Sequence, residues 1–202
     1  MTQDINSAVF EYNPGLRVIN TVIEQPRAID LINQYNFKYA DIQYAFDNSD
    51  KYVQQLLNDI SNIISTLAIS RKYVVVDVKI RKLLAGQLPA NSYWHTDCTL
   101  NMLHPTQDDI HFFFISGADC RTQFITSPLK LQIDSNNMLR SINNTINNVM
   151  IDTVLIPENT LMCYTRQDLH RARPAMSAGV RFLLRVTLTD VVKPHNKCLK
   201  KY

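Results

Sequence analysis

The spacing of apolar residues along the chain changes near residue 71. In the first 70 residues the clearest pattern is helical, because apolar side chains recur every three or four positions after Asn48 or Ser49, either of which is a suitable N-cap. A shorter helix is predicted after Pro26. We therefore expect residues 1–70 to be mostly helical. The apolar positions of the longer helix are Val53, Leu56, Leu57, Ile60, Ile63, Ile64 and Leu67.

Beyond residue 71 apolar and polar residues alternate, which is typical of strands. An Asn-rich segment at 138–148 is predicted to be a loop or a short helix. Helices followed by many short strands favour an α+β class whose β part is a sandwich, a barrel or a jelly roll. The strand-like runs, separated by turn signals, are 74–80, 92–101, 110–116, 122–126, 149–156, 160–166 and 180–190.

The chain has 202 residues, of which 46% are apolar, which suffices for one hydrophobic core but not for two full-sized domains. We expect a single domain over 1–202 that ends in a basic tail at 191–202. No apolar run approaches the roughly 18 residues of a membrane span, and the first residues lack the features of a secretory signal. The protein is therefore predicted to be cytoplasmic, with no membrane partner. A formal net charge of +3 neither requires nor excludes nucleic acid.

The most informative polar residues are two histidines and an aspartate. His95 and Asp97 lie two residues apart on a predicted strand, so their side chains point to the same face and can bind one ion together. His170 follows in a later segment. Two histidines and one carboxylate form the facial triad of non-haem Fe(II) sites, which leaves positions open for substrate and O₂. The alternative for His95 and Asp97 is a hydrogen-bonded pair at a strand end.

An arginine, Arg181, follows His170 by eleven residues on the next predicted strand. With the His-x-Asp pair, the later histidine and this arginine in order, residues 74–190 resemble the Fe(II)- and 2-oxoglutarate-dependent dioxygenase superfamily. The stretch from His170 to Arg181, with Pro174 and Gly179 between them, is similar to its prolyl-hydroxylase-like members. The resemblance implies a double-stranded β-helix, which is a form of jelly roll, at 71–190 with supporting helices at 1–70.

The resemblance also implies roles for individual residues. His95, Asp97 and His170 would be the catalytic iron ligands, and Arg181 would pair with the far carboxylate of 2-oxoglutarate, as a bidentate guanidinium can. Thr122 occupies a place where members often put a hydroxyl donor near that carboxylate. Leu83 stands where the family often has the tyrosine of the keto-acid end. Because leucine cannot make that contact, the candidates for it are Tyr73, Tyr93, Asn101 and Arg185.

The position of Arg185 is left open by the sequence alone. Alternation places Arg181 and Arg185 on one face of a predicted strand, and an ordinary half-buried strand would leave both arginines in water. Only the spacing between His170 and Arg181 favours an inward orientation of the Arg181 side chain. Arg185 is therefore either a second contact of the cosubstrate anion or a surface charge.

The activity that the resemblance implies is an oxidation that consumes O₂ and 2-oxoglutarate at an Fe(II) centre. We favour hydroxylation of an amino-acid side chain, free or in a peptide, because the Gly179-Val180-Arg181 stretch looks most like hydroxylases of that kind. One alternative is a nucleobase-modifying dioxygenase, which would need a stacking pocket and a surface that tracks phosphates. A second alternative is a cupin-type metal-binding jelly-roll protein, which would bind no 2-oxoglutarate.

Overall fold

The computed structural model describes residues 7–31, 33–97, 109–134 and 136–201, which form mostly β-structure with a few helices. The strands are β1 (Ser7–Tyr12), β2 (Arg17–Val22), β3 (Tyr35–Asp41), β4 (Tyr73–Leu83), β5 (Ile110–Ser116), β6 (Thr122–Ile125), β7 (Leu129–Asp134), β8 (Thr153–Leu155), β9 (Thr160–Thr165), β10 (His170–Ala172), β11 (Gly179–Thr189) and β12 (Cys198–Lys201). The helices are α1 (Ala28–Leu31), α2 (Ile42–Asp47), α3 (Lys51–Thr66) and α4 (Met138–Asn147).

The strands form three sheets. The largest has seven strands in the order β12-β3-β4-β11-β5-β9-β2, and its long centre is the antiparallel pair of β4 and β11. A three-stranded sheet has the order β10-β6-β8, and β1 pairs with β7 alone. This arrangement agrees with the predicted class, a mostly β fold with few helices.

The two faces of the large sheet contact different parts of the protein, because successive side chains along a strand point to opposite faces. Phe182, Leu184 and Val186 of β11 lie on the face that packs against α3, together with Val76 and Val78 of β4. The opposite face carries Arg181, Leu183 and Arg185, which line a cavity. Burial of the apolar face against the helices therefore forces the two arginines to the cavity side.

The three-stranded sheet covers this cavity. Phe124 of β6 packs against Tyr164 of β9 with their ring centroids 5.2 Å apart, and Phe113 of β5 contacts the same tyrosine edge-on at 5.9 Å. Aromatic contacts of this kind fix the separation of two sheets. The cavity thus lies between the large sheet and the strands β6 and β10.

Several elements differ from the sequence predictions. Residues 7–70 contain three strands beside the helices, and β2 and β3 are part of the large sheet. The predicted basic tail contains β12, which pairs with β3. Register shifts in the pairs of β2, β3 and β12 interrupt the simple alternation by which strands are found in a sequence. The long helix begins at Lys51 with Asp50 as its N-cap, not Asn48 or Ser49.

The predicted strand at 92–101 is wrong over its described part. Residues 92–97 form a single bridge, between His95 and His170, and no ladder. The backbone of Trp94 is instead paired with a side chain, because its N–H donates to Asn143 Oδ1 at 3.0 Å and its carbonyl accepts from Asn143 Nδ2 at 2.9 Å. The Asn-rich segment that supplies this clamp is the helix α4. Residues 98–101 lie outside the described residues.

No helix in the described parts of the chain is long and apolar enough to cross a membrane.

Candidate metal and cosubstrate site

One cavity of about 270 Å³ between the two sheets brings the predicted site residues together. Its walls come from β4, β5, β6, β9, β10 and β11 and from the segment before residue 98. Because these elements are far apart in the chain, the cavity exists only in the folded protein. All six predicted residues line it: His95, Asp97, Thr122, His170, Arg181 and Arg185.

The two histidines are held together by their own backbones. The N–H of His95 donates to the carbonyl of His170 at 3.0 Å, and the reverse bond is 2.9 Å long. Their rings follow, with centroids 4.6 Å apart. This bridge places the two imidazoles side by side at the start of β10, although they lie 75 positions apart in the sequence.

The hydrogen bonds of the rings fix which nitrogen is free. The Nδ1 of His95 lies 2.7 Å from the carbonyl of Tyr93, and the Nδ1 of His170 lies 2.9 Å from the carbonyl of Asp168. A carbonyl only accepts, so each Nδ1 carries the proton and each Nε2 keeps a lone pair. Burial, and then the neighbouring His170, lower the pKa of His95 and favour its neutral form. Metal-binding histidines are oriented in the same way.

Asp97 is bound on both carboxylate oxygens. Oδ1 accepts from Arg185 Nη1 at 2.7 Å, and Oδ2 accepts from the Tyr164 hydroxyl at 2.6 Å. Burial alone would raise the pKa of Asp97, but the charge of Arg185 and the nearby His111 hold it well below its usual range. The carboxylate is therefore ionised and can act as a ligand or as an ion-pair partner.

Arg185 is tied to two acids inside the cavity. Its Nε and Nη2 donate to Asp77 Oδ2 at 3.0 and 2.7 Å, beside the bond to Asp97. The side chain of Arg185 is 16% exposed, so its interpretation as a surface charge is wrong. Its role as a contact of the cosubstrate anion stays a prediction, and the three bonds to carboxylates neutralise its charge.

Arg181 contrasts with Arg185 because it lacks such partners. It is 4% exposed, its Nε has no hydrogen-bond partner, and it forms no ion pair with a described residue. Burial lowers the pKa of Arg181, which the neighbouring thiol of Cys120 partly offsets, but a guanidinium stays charged in any case. A buried cation without a counter-ion is costly unless a ligand supplies one. Thr122 of β6 is buried in the same cavity.

The nitrogen donors fit a transition metal such as Fe(II), since two imidazoles present bare Nε2 atoms beside an ionised carboxylate. In the described parts of the chain no three His, Cys, Asp or Glu side chains are arranged as a ready metal site. The carboxylate of Asp97 is turned toward Arg185 and Tyr164. A carboxylate has about four acceptor positions, so Asp97 keeps capacity for a further partner.

The remaining candidates for the keto-acid contact lie elsewhere. Tyr73 is absent from the residues that line the cavity, and Tyr93 is 62% exposed on its outside. Leu83 packs with Cys120 and Ala175 in a small apolar cluster. Asn101 lies outside the described residues.

Several residues of the cavity were missed from the sequence. Asp77 and Tyr164 bind the predicted site residues directly, and Phe124 stacks on His170 with centroids 5.2 Å apart. Beside the cavity, the Nδ1 of His111 lies 2.9 Å from the Thr187 hydroxyl and its Nε2 lies 3.7 Å from Asp97 Oδ2. For Asp77 the sequence carried one signal, its position. It interrupts an apolar strand on the face opposite to Val76 and Val78.

No protein-family model matches the chain, and the search among curated proteins finds no significant relative. Among solved structures, the chain is similar to EvdO2 from Micromonospora carbonacea var. aurantiaca complexed with 2-oxoglutarate, at a TM-score of 0.43 and 12% identity over 72% of this chain and 67% of that one. A non-haem monooxygenase, ThoJ in complex with Ni, aligns at a TM-score of 0.41 and 12% identity over 72% of this chain and 56% of that one.

A third similar structure is the non-haem α-ketoglutarate-dependent carbocyclase SnoK, at a TM-score of 0.39 and 12% identity over 89% of this chain and 78% of that one. Of these three structures, one contains 2-oxoglutarate, one is a non-haem monooxygenase with Ni, and one is a non-haem α-ketoglutarate-dependent carbocyclase. The functional assignment rests on the residues of the cavity.

Proposed function

We propose that this protein is a non-haem Fe(II)- and 2-oxoglutarate-dependent dioxygenase, and that its sheets form the double-stranded β-helix of that superfamily. The observation that supports this best is Arg181, a buried guanidinium that forms no ion pair with a described residue, in the same cavity as His95, Asp97 and His170. A cavity with bare imidazole nitrogens and an uncompensated cation suits a metal and a dianionic cosubstrate together. A cupin-type metal protein would have no need of the cation.

Each residue then has a defined task. His95, Asp97 and His170 would hold the iron, and Arg181 with Thr122 would hold the far carboxylate of 2-oxoglutarate. Fe(II), when bound, supplies the O₂ and redox chemistry that the side chains themselves lack. Phe113 and the other rings between the sheets exclude water from the cavity.

We propose further that the substrate is an amino-acid side chain, free or in a peptide. The support is the stretch from Gly179 to Arg181, which resembles hydroxylases of that kind. A nucleobase is the alternative substrate, which we do not favour.

A cytoplasmic location of the protein remains a prediction.

The cosubstrate assignment is tested by titrating 2-oxoglutarate into the Mn(II) form under argon, with calorimetric detection. Arg181→Ala should weaken binding by about 30-fold or more, because loss of one partner of a buried charge pair costs roughly 2–5 kcal/mol. Arg181→Lys should recover part of the loss, since an ammonium has no bidentate fork. Arg121→Ala is the matched control, because Arg121 pairs with Asp119 on the surface. Equal affinity of Arg181→Ala and wild type would exclude the assignment.

The ligand assignment is tested by titrating Mn(II) alone. His170→Ala should weaken metal binding by more than about 100-fold, because removal of a direct ligand exceeds the 10- to 100-fold loss typical of its supporting residues. His195→Ala is the control, since His195 is exposed near the C-terminus. Unchanged metal affinity in His170→Ala would show that this histidine is no ligand.

A further inference from the structure

A second and larger opening lies directly outside the cavity. This outer groove has a volume of about 1000 Å³ and is bounded by residues 91–93, the α4 helix with the residues before it, and Arg171. Asn91 and His95 line both the outer groove and the cavity. A molecule bound in the groove therefore lies against the imidazole that we assign to the metal. A volume of this size is typical of a site for an organic ligand rather than for a small ion.

The groove is positively charged. Two arginines, Arg140 and Arg171, contribute to its wall, and none of its described lining residues is an aspartate or a glutamate. Neither arginine forms an ion pair within the described part of the chain. The positive charge of the groove is thus available to a ligand.

Arg171 is held rigidly in this position. Its guanidinium lies over the ring of Trp94, 4.4 Å from the ring centre, and its Nε donates to Gln123 Oε1 at 2.9 Å. Stacking and one hydrogen bond fix the plane of the guanidinium, so little side-chain entropy is lost when its other N–H groups bind an anion. Burial and the nearby Arg173 lower the pKa of Arg171, which is the expected effect on a cation that lacks a counter-ion.

Neutral polar groups complete the lining. Asn144 and Asn147 of α4 are exposed to the groove, and a side-chain amide offers both donors and acceptors. Tyr93 adds an exposed aromatic ring. The groove therefore suits a ligand that has one anionic group and several uncharged hydrogen-bonding groups.

We propose that the outer groove binds the substrate through an anionic group, a carboxylate or a phosphate, held by Arg171 with Arg140 as a second cation. The remainder of the substrate then extends past His95 toward the cavity. This identification of the ligand as the substrate rests on the proposed function. The anion is distinct from 2-oxoglutarate, which we assign to Arg181 in the inner cavity.

The test uses two pairs of probes that differ in charge. One pair is the blocked peptides acetyl-Gly-Glu-Gly-amide and acetyl-Gly-Gln-Gly-amide, and the other is adenosine 5′-monophosphate and adenosine. Affinities for the Mn(II) protein with 2-oxoglutarate are measured by calorimetry under argon. Trp94 is the single tryptophan of the chain, so a change in its fluorescence reports binding beside Arg171.

We expect the charged member of at least one pair to bind about tenfold more tightly than its neutral partner, with a change in Trp94 fluorescence. The peptide pair would identify a carboxylate and the nucleotide pair a phosphate. Arg171→Gln should remove the preference for charge. Arg173→Gln is the matched control and should keep it, because Arg173 lies two residues away and outside the groove.

Two outcomes would overturn the proposal: equal affinities within both pairs, or a preference for charge that persists in Arg171→Gln. Titration of 2-oxoglutarate into the wild-type protein separates this proposal from the proposed function. Normal 2-oxoglutarate binding by the wild-type protein, together with no preference for the charged probes, would refute the groove assignment alone. Loss of 2-oxoglutarate binding in Arg181→Ala remains the independent test of the enzyme class.

Discussion

Arg185 supports two carboxylates in the interior, and its removal should destabilise the fold strongly. It is the direct cross-strand neighbour of Asp77 in the pair of β4 and β11, and it also contacts Asp97. The side chain of Asp77 is only 2% exposed. In Arg185→Met the stem of the side chain is replaced by one of similar length, while both carboxylates lose their cation.

The expected loss follows from the burial of Asp77. Removing one partner of a buried ion pair costs about 3–5 kcal/mol, because the other charge is left without compensation. Asp77 keeps one hydrogen bond, from the N–H of Tyr39 at 3.1 Å, which cannot replace a cation. A loss of this size is a large part of the roughly 5–15 kcal/mol by which a domain is stable.

The assay is urea unfolding at pH 7 with a chelator present, so that bound metal does not contribute. The double variant Asp77→Asn/Arg185→Met should lose less than the sum of the two single variants, by about 1 kcal/mol or more, because the pair acts as one unit. Lys130→Met is the control, since Lys130 and Glu11 form a largely exposed pair whose loss should cost at most about 1 kcal/mol. Equal stability of Arg185→Met and Lys130→Met would refute the reasoning.

The dependence on pH should change sign in the same variant. The folded pKa of Asp97 lies below its unfolded value of about 3.9, so Asp97 stabilises the fold above that pH and the contribution is lost as the pH falls through the folded pKa. In Arg185→Met the cation that lowers the pKa of Asp97 is gone. Burial is then the largest effect on that pKa, and it raises it. Between about pH 3 and 6, the contribution of Asp97 to the free energy of unfolding should then increase as the pH falls. Parallel pH profiles of both proteins would contradict this.

Two further predictions concern backbone placement. Asn143→Leu removes the amide clamp on Trp94 and should weaken Mn(II) binding about tenfold in calorimetry. The control, Asn144→Leu, should leave Mn(II) binding unchanged. Equal affinities of the two variants would show that the clamp does not position the metal-binding residues. Gly117→Ala should lower the free energy of unfolding in urea by at least about 2 kcal/mol more than Gly86→Ala. Both glycines have positive φ, so the backbone strain is similar. Of the two, only Gly117 would bring a Cβ against a backbone oxygen, that of residue 180. Equal losses would contradict the steric argument.

The long strands of the core were predictable because each has one face against the helices. The alternation on β11 assigned Arg181 and Arg185 to a common face, and the structure agrees. The partners of those arginines were not predictable. Asp77 stands opposite Arg185 only because β4 and β11 pair in a particular register, and alternation does not state which strands are neighbours.

The segment at Trp94 shows a different limit. The sequence predicted a strand here, but a strand needs a neighbouring strand for its hydrogen bonds. Here the neighbour is the amide of Asn143 on one side and the backbone of His170 on the other. Such a side-chain partner leaves no periodic signal, so the helix α4 and its clamp could not be connected to the site from the sequence.

The two arginines of β11 also show how neighbouring strands decide a function that the sequence leaves open. They have the same chemistry and the same face, four residues apart. Opposite Arg185 stands an aspartate, whereas the register partner of Arg181 is Arg81, whose Nη1 donates to the carbonyl of Pro89. The charge of Arg81 adds to that of Arg181 rather than cancelling it. The cavity is therefore polarised, with compensated charge beside Asp97 and positive charge beside Arg181, and an anion is drawn to the end at Arg181.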